Sequence, residues 1–203
     1  MTRPLEGVRI LEVAQAAFVP SAAVALVDWG ADVVKIEHPE RGDMVRGISV
    51  AGVDPHPSGI RYLWEIFNRG KKSVGLDIGH PAGREVLLRL VDESDVFVTN
   101  FLGSARQRLQ IEPEDIFDRK PEIVYARGTS HGPEGPDAEL GGYDPISYWS
   151  RNGMAVASMP VGHDYPIPIP GPSFGDSQCG MAMAGGASCT WCVSWPWWLS
   201  CVW

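Results

Sequence analysis

Three consecutive stretches restrict the fold of this chain more than any other feature. GVRILEV (7–13) is β-rich, PSAAVALVDWG (20–30) is helix-like with Pro20 near its start and Gly30 as a stop, and ADVVKIE (31–37) is β-rich again. Two β runs joined by one helix of this length lie parallel with a right-handed crossover, which is how an open α/β sheet begins. The alternation returns further on. HPAGREVLLRLVDESD (80–95) spaces Val86, Leu87, Leu90 and Val91 along a helix and leads into the short apolar strand VFVTNF (96–101). EPEDIFDRKP (112–121) is then a short helix before the strand EIVYARG (122–128). The expected fold class is α/β, a Rossmann-like parallel sheet with flanking helices.

Beyond residue 128 the chain turns to TSHGPEGPDAELGGYDP, rich in Gly and Pro and without periodicity, as in a loop crossing a surface or a site. ISYWSRNGMAVASM reads as a helix broken near Gly153, and PVGHDYPIPIPGPSF as an extended connection. With 203 residues, 44% hydrophobic and 21% charged, the chain is that of a globular protein. Its net charge of −8 argues against nucleic acid as a partner and leaves room only for a local basic cluster. The N-terminus MTRPLEGVRILEV carries Glu6 and lacks a signal-peptide pattern, so a cytoplasmic location is expected. Cys179, Cys189, Cys192 and Cys201 all fall in the last 25 residues, which leaves no disulfide framework for the body of the protein. The closing ASCTWCVSWPWWLSCVW lacks the flanking cations of a membrane span and the second ligand pair of a zinc site. It is expected to be foreign to the fold, as the product of a shifted frame or a truncated gene would be.

The first β-α turn, EVAQAAFVPS, lies where open α/β sheets bind ligands, but it lacks G-x-G-x-x-G. A dinucleotide is therefore disfavoured, despite Glu37 at the end of the second strand. NRGKKSVGLD (68–77) places Arg69, Lys71 and Lys72 around a glycine, which suits either a solvated basic turn or a phosphate site. His38, Arg41 and Arg46 in EHPERGDMVRG, with Arg106 and Arg108 in NFLGSARQRL, could complete such a site. The scattered histidines have no partners at metal-ligand spacing, so no metal is expected. Asp176 is the one charged residue of PSFGDSQCGMAMAGG. Locally it reads as a helix N-cap or as a reagent, and the two roles are compatible.

Taken in order, PLEGVRILEVAQ, DWGADVVKIEHPERGDMVRG, NRGKKSVGLD, SDVFVTNF, GGYD and FGDSQCGM resemble successive blocks of the family III CoA-transferases of the CaiB/BaiF type. That group includes formyl-CoA transferase, carnitine CoA-transferase and α-methylacyl-CoA racemase. The resemblance runs collinearly from residue 4 to about 186. It implies that residues 1–186 are the N-terminal part of an incomplete large domain, with 187–203 an atypical tail in place of the helix that should follow the motif. It also implies an acyl-CoA:carboxylate CoA-transferase acting through a covalent aspartyl-CoA intermediate. An acyl-CoA donor and a carboxylic acid acceptor would be its substrates, no cofactor would be permanently bound, and the full-length protein would be an interlocked homodimer. Asp176 matches the nucleophile, with Tyr143 and Asp144 in support. Gln15, His38, Arg69, Lys71, Lys72, Asn100, Phe101 and Arg108 match CoA-binding positions. Where racemases carry a proton-transferring His this chain has Tyr143, which favours transfer over α-proton exchange. Ala17 stands where formyl-CoA transferase has a Gln, which speaks against formyl or oxalyl specificity. A racemase-like isomerase and an inactive CoA-binding fragment remain the alternatives.

Overall fold

The structure, a computed structural model, describes residues 3–48 and 58–192 together with the backbone of 198–202. Strands β1 (Arg9–Val13), β2 (Asp32–Glu37), β3 (Lys72–Gly75), β4 (Val96–Thr99), β5 (Val124–Thr129) and β6 (Trp198–Val202) form one sheet in the order β3-β2-β1-β4-β5-β6. Every neighbouring pair is parallel. This is the doubly wound order, in which the crossovers diverge on either side of β1 and β4 and open a crevice at the strands' carboxyl ends.

Strand periodicity divides the core into two layers. Ile10, Val33, Val96, Val98, Val124 and Ala126 face helix α1 (Phe18–Asp28) and helix α7 (Phe174–Cys192). The alternate residues Leu11, Phe97 and Tyr125 face α3 (Pro81–Asp92) and α5 (Pro113–Arg119), burying Leu87, Val91 and Ile116. Each fully buried side chain of this size contributes roughly 1.5–3 kcal/mol. Tyr125 stacks on Phe97 at 5.2 Å between ring centroids and donates its hydroxyl hydrogen bond to the Ile111 carbonyl, so its polar end is satisfied in the core.

The two helices on the first face cross closely. A Cβ at Gly180 would lie 1.9 Å from Ser21 Oγ and 2.9 Å from the Phe18 carbonyl oxygen, so only glycine lets the α7 backbone sit on α1 at that point. Met183, Ala184 and Ala187 continue the buried stripe. For this reason the helix opening at the Asp176 motif, expected to give way near residue 186, runs on to Cys192. Beyond it, Trp198–Val202 adds a parallel strand beside β5.

One element departs from the sequence reading. NRGKKSVGLD is not wholly a loop: Lys72–Gly75 forms β3, at the edge of the sheet and mostly exposed, so it has no apolar signature. The segment after Asp144 is helical and broken at Gly153 (φ 84°), as its sequence suggests: a π-helix (Pro145–Arg151) precedes α6 (Met154–Ala157). Helices α2 (Tyr62–Asn68) and α4 (Gly103–Leu109) and a 3-10 helix (Met44–Gly47) complete the described elements. Among the described residues no helix is long and apolar enough to cross a membrane, and no group of three or more His, Cys, Asp or Glu is placed to hold a metal ion.

Candidate active site

The turn between β1 and α1 forms one wall of the crevice. Asn100, just past β4, clamps the backbone of Gln15 from both sides: its Oδ1 accepts from Gln15 N–H at 3.0 Å and its Nδ2 donates to Gln15 O at 2.7 Å. Ala16 follows at φ 65°, a left-handed conformation uncommon for a residue with a Cβ. Its N–H donates to the Asp43 carboxylate at 3.2 Å.

Asp176 contributes a second wall, in the first turn of α7. The helix terminus is capped by Asp144, whose two oxygens accept from Gly175 N–H at 3.0 and 2.9 Å. Asp176 is thus not the N-cap that its local sequence suggests; a carboxylate distant in sequence takes that role and leaves the Asp176 side chain for the cavity. Gly175 is required here, because a Cβ would fall 2.1 Å from the Tyr148 ring and 2.4 Å from Asp144 Oδ1. The Asp176 backbone is tied to α1 through Ser21 Oγ, which donates to Phe18 O at 2.7 Å and Asp176 O at 3.0 Å.

Two nearby carboxylates in a water-poor setting resist ionisation. Burial first, and then the charge of Asp144, push the Asp176 pKa up to about 7, against a lowering contribution from the Ser173 side chain. Burial also raises Asp144, opposed by the amide N–H groups of Gly175, Asp176 and Phe174. A carboxyl group of this kind is poised near neutrality, which is a mark of functional sites.

Between the walls lies a cavity of about 910 Å³ at the carboxyl ends of the strands. It brings together Gln15, His38, Asn100, Phe101, Arg108, Tyr143 and Asp176. Asp144 is buried behind Asp176 and does not line it. Arg69, Lys71 and Lys72 do not line it either. Arg69 pairs with Asp28 and Lys72 with Asp32, while the Lys71 ammonium is buried 2.6 Å from Glu12 Oε2. Arg46 is engaged elsewhere too, donating to both Glu37 oxygens at 2.7 and 2.8 Å. Burial would raise the Glu37 pKa, but the bonds from Arg46, Ser73 and the Asp43 amide bring it down to about 2. Glu37 is therefore committed to Arg46 rather than open to a ribose.

Residues 76–79, directly after β3, line the cavity and were not singled out from the sequence. Recognising β3 as a strand would have marked them, since ligands of such sheets gather at strand carboxyl ends. Arg41 also lines the cavity, which therefore holds His38, Arg41 and Arg108 together with Asp176. A lining that combines arginines with a buried carboxyl group suits a ligand that carries both anionic groups and a reactive carbonyl.

Comparison with known proteins bears on this geometry. Residues 5–191 match the sequence profile described as CoA-transferase family III. The (R)-2-hydroxy-4-methylpentanoate CoA-transferase of Clostridioides difficile is 32% identical over 183 residues, covering 90% of this chain and 45% of that protein. Cinnamoyl-CoA:phenyllactate CoA-transferase of Clostridium sporogenes is 30% identical, with 91% and 44% covered. The crystal structure of an aspartate-to-alanine mutant of Rv3272 from Mycobacterium tuberculosis superposes with a TM-score of 0.84 at 29% identity, over 99% of this chain and 54% of that one. The chain thus spans about half the length of the relatives it matches. The match takes in the sheet from β1 to β5 and nearly all of the helix that carries Asp176, and on that ground the chain belongs to CoA-transferase family III.

Proposed function

We propose that this chain carries the nucleophile and the CoA-binding crevice of an acyl-CoA:carboxylate CoA-transferase. The supporting observation is the placement of Asp176, a buried carboxyl group held near neutral pKa in a large crevice that Arg41 and Arg108 also line. In the forward half-reaction an Asp176 oxygen attacks the thioester carbonyl, the carbon–sulfur bond breaks, and the CoA thiolate leaves a mixed anhydride. The thiolate then attacks the aspartyl carbonyl, giving an aspartyl-CoA thioester and releasing the donor acid. An acceptor carboxylate reverses these steps and leaves as a new thioester. Covalent catalysis here divides one difficult exchange into easier ones.

Within this reading Asp176 is the catalytic residue, and the capping carboxylate of Asp144 positions it. Tyr143, 58% exposed at the cavity, stands where a racemase would need a proton-transferring base, which favours transfer over isomerisation. His38, Arg41 and Arg108 would meet the phosphates of CoA, and Phe101 its adenine or pantetheine. The homodimer implied by the resemblance belongs to the same proposal. It is supported by the exposed Ile146, Val156, Val161 and Tyr165 on the segment beside the crevice.

Hydroxylamine trapping tests the reading. With acyl-CoA present, the peptide containing Asp176 should acquire a hydroxamate, detected by peptide mass, and without acyl-CoA it should not. An acyl-CoA-dependent adduct on a different residue, or α-proton exchange without any adduct, would refute it.

A further inference from the structure

Four charged side chains lie beneath the β1–α1 turn, each no more than 1% exposed. They form a chain of alternating sign. Lys35 Nζ lies 2.9 Å from Asp43 Oδ2 and 2.7 Å from Glu12 Oε1, and Lys71 Nζ lies 2.6 Å from Glu12 Oε2. Their charges sum to zero. Buried ion networks of this kind are poor devices for stability, because desolvation offsets most of the attraction, and their best-attested use is to enforce one geometry over another.

Two of the four also grip the turn directly, and a third grips the first turn of α1 that follows it. Lys35 Nζ donates to Ala14 O at 2.9 Å, Asp43 Oδ1 accepts from Ala16 N–H at 3.2 Å, and Lys71 Nζ donates to Pro20 O at 2.9 Å. The gripped stretch holds the left-handed Ala16 and the first turn of α1. From there Ser21 passes the constraint to Asp176 through its two hydrogen bonds. Strained backbone of this sort persists only where its surroundings over-determine it.

We propose that Lys35, Asp43 and Lys71 are positioning residues that hold Ala16 in its left-handed conformation and set the opening of α1 against Asp176. This assigns Lys71 a place under the site. Its effect on catalysis rests on the reading of Asp176 as nucleophile; its effect on the backbone does not.

The test combines two changes in the full chain. Lys35→Met with Asp43→Ala removes one charge of each sign together with the acceptor of the Ala16 N–H, and leaves the Glu12–Lys71 pair neutral. Ala16→Gly relieves the left-handed conformation. With the network intact, Ala16→Gly should raise the thermal midpoint by about 2–4 °C, because glycine adopts that conformation freely. In the Lys35→Met/Asp43→Ala background Ala16 has lost the hydrogen bond that holds its N–H, so it can leave the left-handed region and the same change should lower the midpoint. Hydroxamate formation at Asp176 under saturating acyl-CoA should fall at least tenfold in that background, with the half-saturating acyl-CoA concentration changed less than twofold. Lys35→Leu with Asp43→Leu, also charge-neutral and also without an acceptor for the Ala16 N–H, carries the same expectations if the first pair does not fold. Stabilisation by Ala16→Gly in both backgrounds, with hydroxamate formation unchanged, would overturn the proposal. Absence of any Asp176 adduct in the unmodified chain would instead count against the nucleophile and leave the thermal comparison to decide the positioning role.

Discussion

Asp176 shares a buried setting with Asp144, and the cost of ionising it there appears as a pKa pushed up to about 7 by burial and by that neighbour. The sign of the stability effect follows. Below about pH 4 the group is protonated in both folded and unfolded chains and contributes nothing. Between about 4 and 7 the unfolded chain gives up this proton while the folded one keeps it, so stability falls as pH rises and stays lower above 7. Asp176→Asn should therefore stabilise the protein at pH 8, by on the order of 2–4 kcal/mol, and leave it nearly unchanged at pH 4. Thermal unfolding at the two pH values checks this, and equal effects at both would contradict the raised pKa. Such a gain on removing a reactive group is the usual trade between stability and activity. The candidate itself was legible as the single charge in an apolar motif. Its capping partner was not, because only the fold brings Asp144 to the start of α7. Nor does sequence separate the cations of NRGKKSVGLD: Lys71 and Lys72 are adjacent, yet strand geometry turns one inward to Glu12 and the other outward to Asp32.

At the level of elements, the site depends on how α7 crosses α1. Gly180 is the contact at which the two backbones meet, and Gly180→Val would drive a side chain into Ser21 and the Phe18 carbonyl. Overpacking of this kind costs about 1–3 kcal/mol. A lowered thermal midpoint with slower trapping at Asp176 is the expected result, read by calorimetry and peptide mass. Strands with strong apolar runs, such as β1, β4 and β5, could be read directly, since burial on both faces leaves an unmistakable composition. The edge strand β3 could not be read, because it is largely exposed and borrows its partner from β2. Missing it also hid residues 76–79, which follow it into the cavity.

For the molecule as a whole, the net charge of −8 and the arginines that line the crevice pull in opposite directions. Local charge should win for an anionic ligand. CoA binding, followed by calorimetry, should weaken as salt rises, whereas a pantetheine thioester without phosphates should bind independently of salt. Arg108→Ala should reduce CoA affinity about tenfold and flatten that salt dependence, as expected for loss of a charged phosphate contact. Unchanged affinity would remove Arg108 from the phosphate site. The α/β class and the carboxyl-edge location were both implied by the alternation of strands and helices. The shape of the crevice was not, because it is assembled from segments following β1, β2, β3, β4 and β5.

The central claim is that Asp176 exchanges an oxygen with its substrates. An acceptor acid labelled with heavy oxygen in its carboxyl group attacks the aspartyl-CoA carbonyl, and the bridging oxygen stays on Asp176 when the thiolate removes the acyl group. After turnover with acyl-CoA and labelled acceptor, the peptide containing Asp176 should carry the label in its side-chain carboxyl group. Formation of the new thioester with no label in that peptide would contradict the account.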